Sequence, residues 1–355
     1  MLTKLCEKRN LMPIWENDIS WEERRKQILN LLQKEEYGYF PDVYDMLTFK
    51  VVKEEDTFCA GKVNFKHVNV TAYWGKRAFS FPIYVSIPKK SGKHPFFVHI
   101  NFRDSVPDRY LPIEEICDRG YAVISFCYQD VTMDDNSFQP RDRSNDKDLQ
   151  DFLLKKKIKK PDDCGKIVLW AWAASRALDY AYTLDCLDLS RAAVVGHSRL
   201  GKTALLAGAM DARFTCAISN DSGCSGAAIS RQKQGEHIKD IMEVFPRWFC
   251  ENYWKYVDKE DELPFDQHFL VAAIAPRKVY VASAIEDEWA DPVSEFLSCY
   301  AASEVYEKLG LKGLVSPNRL PEVGEFFHEG NIGYHLRKGT HYLSREDWNL
   351  FMDFC

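Results

Sequence analysis

Residues 192–206 read Ala192-Ala-Val-Val-Gly-His-Ser-Arg-Leu-Gly-Lys-Thr-Ala-Leu-Leu206. The apolar run that ends at Gly196 predicts a strand buried on both faces. A helix from about Leu200 to Met210 follows at once, leaving Ser198 in a sharp turn between them. Such an elbow lifts the serine hydroxyl above the end of a parallel sheet. It also turns the hydroxyl toward a helix N-terminus, whose N–H groups and dipole stabilise an oxyanion. The usual glycine spacing about such a serine is G-x-S-x-G; here the second glycine is displaced by one, giving G-H-S-R-L-G.

Working outward, residues 95–100 (PFFVHI) and 121–126 (YAVISF) are short apolar runs of the same buried kind. Further strands are expected at 214–219, 278–284 and 333–337, with helices at 166–183 and 292–309 between them. Strands alternating with helices imply a mainly parallel sheet with helices on both faces. Upstream, 48–52, 63–73 and 79–87 alternate in polarity and suit an antiparallel meander. Residues 21–35 place Ile28, Leu31 and Leu32 on one face of an amphipathic helix, with Ser20 as N-cap and Glu23 completing a capping box. The polar stretch 132–165 carries the Lys155–Lys160 run, read as a solvated surface segment, with a phosphate or polyanion site as the alternative. Residues 225–275 are helical but irregular and interrupt the alternation, so they read as an insertion capping the active site. No Gly/Ser/Pro linker divides the chain. The expected fold is therefore one α/β-hydrolase domain over residues 1–355, a three-layer sandwich with antiparallel N-terminal strands and helical insertions.

A serine hydroxyl is a poor nucleophile until a base removes its proton. In this fold the base follows the final strand, where His341 stands in Gly339-Thr-His-Tyr-Leu-Ser344, ahead of a terminal helix. His197 adjoins the serine and is expected to point away along the chain. His268, ahead of an expected buried strand, reads as structural. The imidazole needs a carboxylate to fix its tautomer and stabilise its cation. Two positions fit: Asp287, after the strand 278–284, and Asp221, after the strand that follows the nucleophile helix. Both loops lie at the same edge of a parallel sheet; Asp287 ranks first and both remain open.

Composition narrows the class. Of 355 residues, 46% are hydrophobic and 28% charged, with 47 basic against 53 acidic side chains and a net charge of −6. A nucleic-acid binder shows a basic excess instead. No stretch approaches the roughly 18 unbroken apolar residues of a membrane helix. The charged N-terminal decapeptide has no apolar core of a signal peptide, so a cytoplasmic location is expected, with secretion as the alternative where a leader has been removed. Eleven cysteines contain no C-x-x-C pair and read as free thiols. No cofactor and no metal are called for, and the oligomeric state is left open.

At this point the elbow G-H-S-R-L-G-K resembles the G-x-S-R-x-G-K signature of the glucuronoyl esterases, carbohydrate esterase family fifteen, in its bacterial branch. The likeness extends through W-E-E-R-R-K-Q-I (21–28), Y-G-Y-F-P (37–41), W-A-W-A-A-S-R-A-L-D-Y (170–180) and S-N-D-S-G-C-S-G-A-A (219–228). It continues through F-P-R-W-F (245–249), F-D-Q-H-F-L-V-A-A-I-A-P-R (265–277) and the Trp-containing loop 284–292. The resemblance implies cleavage of esters of 4-O-methyl-glucuronic acid. It makes Ser198 the nucleophile, His341 the base and Arg199 part of the oxyanion hole, with the acid at Asp221 or Asp287. Lys202, Glu236 and Trp289 match positions that bind the uronate sugar.

The residues themselves agree in part. Arg199 and Lys202 lie on the first turn of the nucleophile helix, where cations oppose the dipole. That placement requires an anion or oxyanion nearby, or pairing with Asp221 or Glu236. Trp289 suits stacking on a sugar face or a place in the core; Glu236 suits sugar hydroxyls or solvent. The expected function is a serine carbohydrate esterase working through an acyl-enzyme on glucuronate esters of xylan-derived saccharides. An acetyl esterase of xylo-oligosaccharides and a silent carbohydrate-binding homologue are the competing readings.

Overall fold

Apolar runs without polar alternation form the centre of one sheet, because both their faces are covered. The computed structural model describes residues 1–16, 18–41, 43–134, 148–154 and 159–355, so most of the Lys155–Lys160 run lies outside the described residues. Helix α1 spans Leu2–Lys8 and α2 Trp21–Leu32, followed by strands β1 Met46–Phe58, β2 Val63–Trp74, β3 Arg77–Pro88 and β4 His94–Asn101. Next come α3 Ile113–Asp118, β5 Ala122–Cys127, α4 Leu149–Leu154, α5 Lys166–Ala181, β6 Leu187–His197, α6 Arg199–Met210 and β7 Cys216–Asn220. The C-terminal third holds α7 Ile238–Val244, α8 Gln267–Ala272, β8 Lys278–Ala284, α9 Pro292–Lys308, β9 Phe326–Phe327, β10 Ile332–Arg337 and α10 Arg345–Phe354.

Among the described residues the strands form one sheet in the order β1-β2-β3-β5-β4-β6-β7-β8-β10-β9. The run from β5 to β10 is parallel, whereas β1, β2 and β3 form the antiparallel meander. Side chains alternate between the two faces with the period of two that a strand imposes. On β4, Phe96, Val98 and Ile100 enter the larger core beneath α5 and α6, while Phe97 enters a second core with Ile116 of α3 and Trp348 of α10. On β6, Ala192 and Val194 face one core and Ala193 and Val195 the other. These are the three layers of the α/β-hydrolase fold.

Helix α5 is apolar nearly all round and is buried accordingly, from Ile167 through Trp172 to Ala181. Helix α6 lies directly on the sheet: a Cβ on Gly208 would stand 2.4 Å from that of Ala217 on β7. Helix α2 begins where expected, Ser20 Oγ accepting the N–H of Glu23 at 3.2 Å, and it buries Ile28 and Leu32. Its Arg25 donates to the carbonyls of Ala273 and Ala209, tying the N-terminal segment to the core.

Three details differ from expectation. Strand β1 is longer than its apolar stretch because ladder pairing with β2, not burial, sustains its exposed half. The apolar run after His268 is a helix, capped by Asp266, whose side chain accepts the N–H of Gln267 at 2.8 Å. Short apolar runs carry no period that separates the two states. The two-residue β9 pairs at the far edge of β10, a ladder too short to show a pattern. All eleven cysteines are free thiols. Among the described residues, no helix is long and apolar enough to cross a membrane.

One buried carboxylate joins the elements beneath the catalytic edge. Glu295 of α9 accepts the Gly223 N–H at 2.9 Å, the Ser222 hydroxyl at 3.3 Å and the Ser283 hydroxyl at 2.6 Å. It thus links α9, β8 and the loop after β7. Burial raises its carboxyl from 4.5 to about 7 against the pull of these bonds. The folded chain therefore binds this proton more tightly than the unfolded chain. The resulting stabilisation is complete below about pH 4.5 and is lost as pH rises through about 7. Glu295→Gln removes the ionisation and keeps the shape. Relative to the wild type, this variant gains roughly 3 kcal/mol of stability between about pH 4 and pH 8. Urea denaturation at the two pH values checks this; a difference independent of pH contradicts it.

Candidate active site

Ser198 stands where β6 turns into α6. Only glycine fits two residues earlier, because a Cβ on Gly196 would lie 2.0 Å from the Leu200 carbonyl oxygen. Ser198 itself takes φ 58° and ψ −128°, a strained conformation for a residue with a side chain. Neighbouring backbone holds it there. Its N–H donates to Asn220 O at 2.8 Å, and its carbonyl accepts from Gly201 and Lys202 at 2.8 and 3.2 Å. The N–H of Arg199, first residue of α6, has no acceptor within the helix and remains available to an oxyanion. Among the described residues Ser198 Oγ makes no hydrogen bond, and it opens onto a cavity of about 300 Å³ shared with His341.

His341 reaches the same cavity from the loop after β10. Its Nδ1 lies 2.6 Å from Asp287 Oδ2, and the imidazole is part-exposed while the carboxylate is buried. With Nδ1 bonded to Asp287, the Nε2 of the ring is left for another partner. Asp221 also converges here: one carboxylate oxygen from each Asp and one imidazole nitrogen lie within 4.8 Å of one another. Its hydrogen bonds run elsewhere, however. Oδ2 accepts from Arg337 at 3.1 Å and from the Tyr342 N–H at 3.4 Å, while among the described residues Oδ1 is buried without a partner. Burial, reinforced by Glu295, pushes the Asp221 carboxyl well up, with Arg337 opposing.

Arg337 organises the base loop. Its guanidinium donates to Asp347 at 3.0 and 3.1 Å, to Asp221, and to the carbonyls of Lys338, Thr340 and Tyr342, which surround His341 in sequence. His197 does not point away as expected. Its ring packs 4.4 Å from that of His341, with Nδ1 2.6 Å from Asn220 Oδ1. Burial, then the neighbouring His341, lowers its pKa far below 6.5, so it packs as a neutral ring.

Arg199 is paired with an acid that the sequence did not single out. Its guanidinium donates to Asp134, whose carboxylate also accepts from Trp248 Nε1 at 3.2 Å. The guanidinium lies 4.5 Å from the Trp248 ring centre and 5.1 Å from that of Phe245. This is where the F-P-R-W-F stretch of segment 225–275 meets the site. Among the described residues Arg199 Nε is buried with no partner.

Lys202 points inward, its ammonium 2.6 Å from the carbonyls of both Ser222 and Cys224 and 3.6 Å from Glu236. The Glu236 N–H donates to Trp289 O at 3.0 Å, and Trp289 is 57% exposed, an aromatic face open to solvent. Lys202, Glu236 and Trp289 therefore form one cluster by the loops after β7 and β8. None of the three lines the cavity shared by Ser198 and His341.

Arg337, Asp134, Asn220 and Glu295 escaped the sequence reading. Arg337 closes an expected strand and Glu295 lies within an expected helix, where a charge ordinarily marks the solvent face. Asp134 falls in a polar stretch without periodicity, and Asn220 acts partly through its carbonyl, which no side-chain pattern reveals.

Comparison with known proteins follows this geometry. The family profile described as glucuronyl esterase of fungi matches residues 68–310. The chain is 44% identical over 245 residues to carbohydrate esterase MZ0003 from an unknown prokaryotic organism, covering 68% of this chain and 55% of that protein. It is 26% identical over 302 residues to a 4-O-methyl-glucuronoyl methylesterase of Podospora anserina, covering 82% of this chain and 56% of that one. The chain thus spans about half the length of these two relatives. A promiscuous esterase of the same family from a marine bacterial metagenome superposes with a TM-score of 0.86 at 34% identity, covering 97% of this chain and 96% of that one. The glucuronoyl esterase from Solibacter usitatus gives 0.84 at 33%, covering 94% and 91%. On the matched profile and the near-complete overlap with these structures, the chain belongs to the glucuronoyl esterases, carbohydrate esterase family 15.

Proposed function

We propose that this protein is a serine esterase that hydrolyses esters of glucuronic acid in xylan-derived saccharides through an acyl-enzyme. The observation that carries the reading is the 2.6 Å bond between His341 Nδ1 and Asp287, which leaves Nε2 free toward the cavity that Ser198 opens onto. His341 takes the Ser198 proton as Oγ bonds to the ester carbonyl carbon. The oxyanion is met by the Arg199 N–H and guanidinium. Collapse breaks the ester C–O bond, and the alcohol leaves with the proton from His341. Water then attacks the acyl-enzyme with His341 again as base, releasing the uronate and restoring Ser198. Lys202, Glu236 and Trp289 form the sugar side: the indole face suits stacking, and Glu236 accepts hydrogen bonds from sugar hydroxyls. Relatives named 4-O-methyl-glucuronoyl methylesterases support a uronate as the acyl group. Comparing initial rates on glucuronate esters and acetylated xylo-oligosaccharides separates this reading from an acetyl esterase.

Ser198→Ala is expected to lower kcat on methyl or benzyl glucuronate by about ten-thousandfold or more while the variant stays folded. Turnover undiminished by that change ends the mechanism. The two acids separate in a second experiment. Asp287→Ala loses about three to four orders of magnitude in kcat, because the imidazole loses its tautomer restraint. Asp221→Ala costs less activity but roughly 3 kcal/mol of stability, because it leaves the buried Arg337 short of a partner. Equal losses of kcat in the two variants would overturn the assignment of Asp287 as the principal acid.

A further inference from the structure

The sheet order divides the space about Ser198. Strand β6 lies between β4 on one side and β7 on the other, so loops after β7 and β8 approach the serine from one flank and loops after β4 and β5 from the other. The first flank carries Glu236 and Trp289, the sugar side. The second builds the cavity, from Phe102, Arg103, Arg109 and Tyr110 after β4 and from Tyr128 and Gln129 after β5.

The charge in that cavity is one-sided. Arg103, Arg109 and Arg199 line it, and no carboxylate does among the described residues. Arg199 is offset by Asp134. Among the described residues Arg109 has no acid: it bonds the Tyr110 hydroxyl at 3.0 Å and lies 4.8 and 5.9 Å from the ring centres of Tyr110 and Tyr342. The nearby Asp108 is already engaged by Asn101 at 3.1 Å and by the Tyr110 N–H at 2.8 Å. Arg103 makes no hydrogen bond or ion pair among the described residues. Among the described residues two guanidinium groups without an acid partner thus line the cavity that Ser198 also lines, Arg109 beside the Tyr110 and Tyr342 rings, in a chain whose net charge is −6. Planar guanidinium groups pair with carboxylates and stack on rings.

We infer that this cavity is the leaving-group subsite and that it selects an aryl alcohol bearing a carboxylate. The inference rests on the esterase reading and extends it to the other half of the substrate. The aryl ring lies among Phe102, Tyr110 and Tyr128 while Arg103 and Arg109 meet the carboxylate. The alcohol departs with the proton that His341 returns.

The test measures kcat/KM for benzyl, 4-carboxybenzyl and 4-(aminomethyl)benzyl glucuronate, whose reacting carbonyl is the same. At low ionic strength the carboxybenzyl ester is expected to exceed the aminomethylbenzyl ester about tenfold, shrinking to about twofold in 0.5 M salt. In the Arg103→Gln/Arg109→Gln variant the ratio approaches one. Equal rates for the two esters in the wild type at low salt overturn the subsite, as does a ratio that survives the double substitution. If the wild type cleaves none of the three, the esterase reading itself fails.

Discussion

The catalytic edge depends on a guanidinium that never touches the cavity. Arg337 ends β10 at 4% exposure, bound to Asp347 below and Asp221 beside it, with its remaining N–H groups on the carbonyls of the loop that presents His341. A buried cation is costly unless all its donors are satisfied, and here the loop supplies part of that satisfaction. The path of residues 338–342 is therefore fixed by the need to solvate Arg337. Asp347 has a second role, since it also forms the capping box with Ser344 that starts α10. Base, loop and terminal helix are thus set by one buried ion network.

This accounts for the different behaviour of the two carboxylates near the imidazole. Asp221 lies against Arg337 in a fully buried setting shared with Glu295, where desolvation pushes both carboxyls up. Its geometry supports the loop, and its bonds to Arg337 and the Tyr342 N–H restrain the base from behind. Asp287 is held by the turn after β8, where the Ala290 N–H donates to its Oδ1 at 3.3 Å, leaving Oδ2 for the imidazole. One acid bonds Arg337 and the loop; the other bonds the imidazole.

Much of this was legible in the sequence, and the reason is physical. The elbow demands glycine at 196 and small residues along α6, so the strain at Ser198 leaves a composition that can be read. Parallel strands covered on both faces appear as apolar runs, which gave the order of β4, β5, β6, β7, β8 and β10 along the chain. His341 followed from its place after the last of those strands. The partners of the charges were not legible. Arg199 faced two candidate acids on paper, yet its partner is Asp134, 65 residues away. The inward turn of His197 onto His341 was hidden for the same reason: ring packing across loops leaves no spacing in the sequence.

The charge balance then divides along the sheet. On the β7 and β8 flank Lys202 is held by two carbonyls and Glu236, whose N–H in turn donates to the Trp289 carbonyl. On the proposed reading this wall meets a neutral sugar through hydroxyls and a ring face. On the β4 and β5 flank the Arg199 charge is offset by Asp134, and its guanidinium lies 4.5 Å from the Trp248 ring centre. The proposed oxyanion hole draws on groups held in place this way, because a preorganised donor costs no reorganisation when charge develops. Among the described residues Arg103 and Arg109 have no such acid. On the proposed reading they face the departing group, where a guanidinium can discriminate between alcohols without altering how the acyl carbon is attacked.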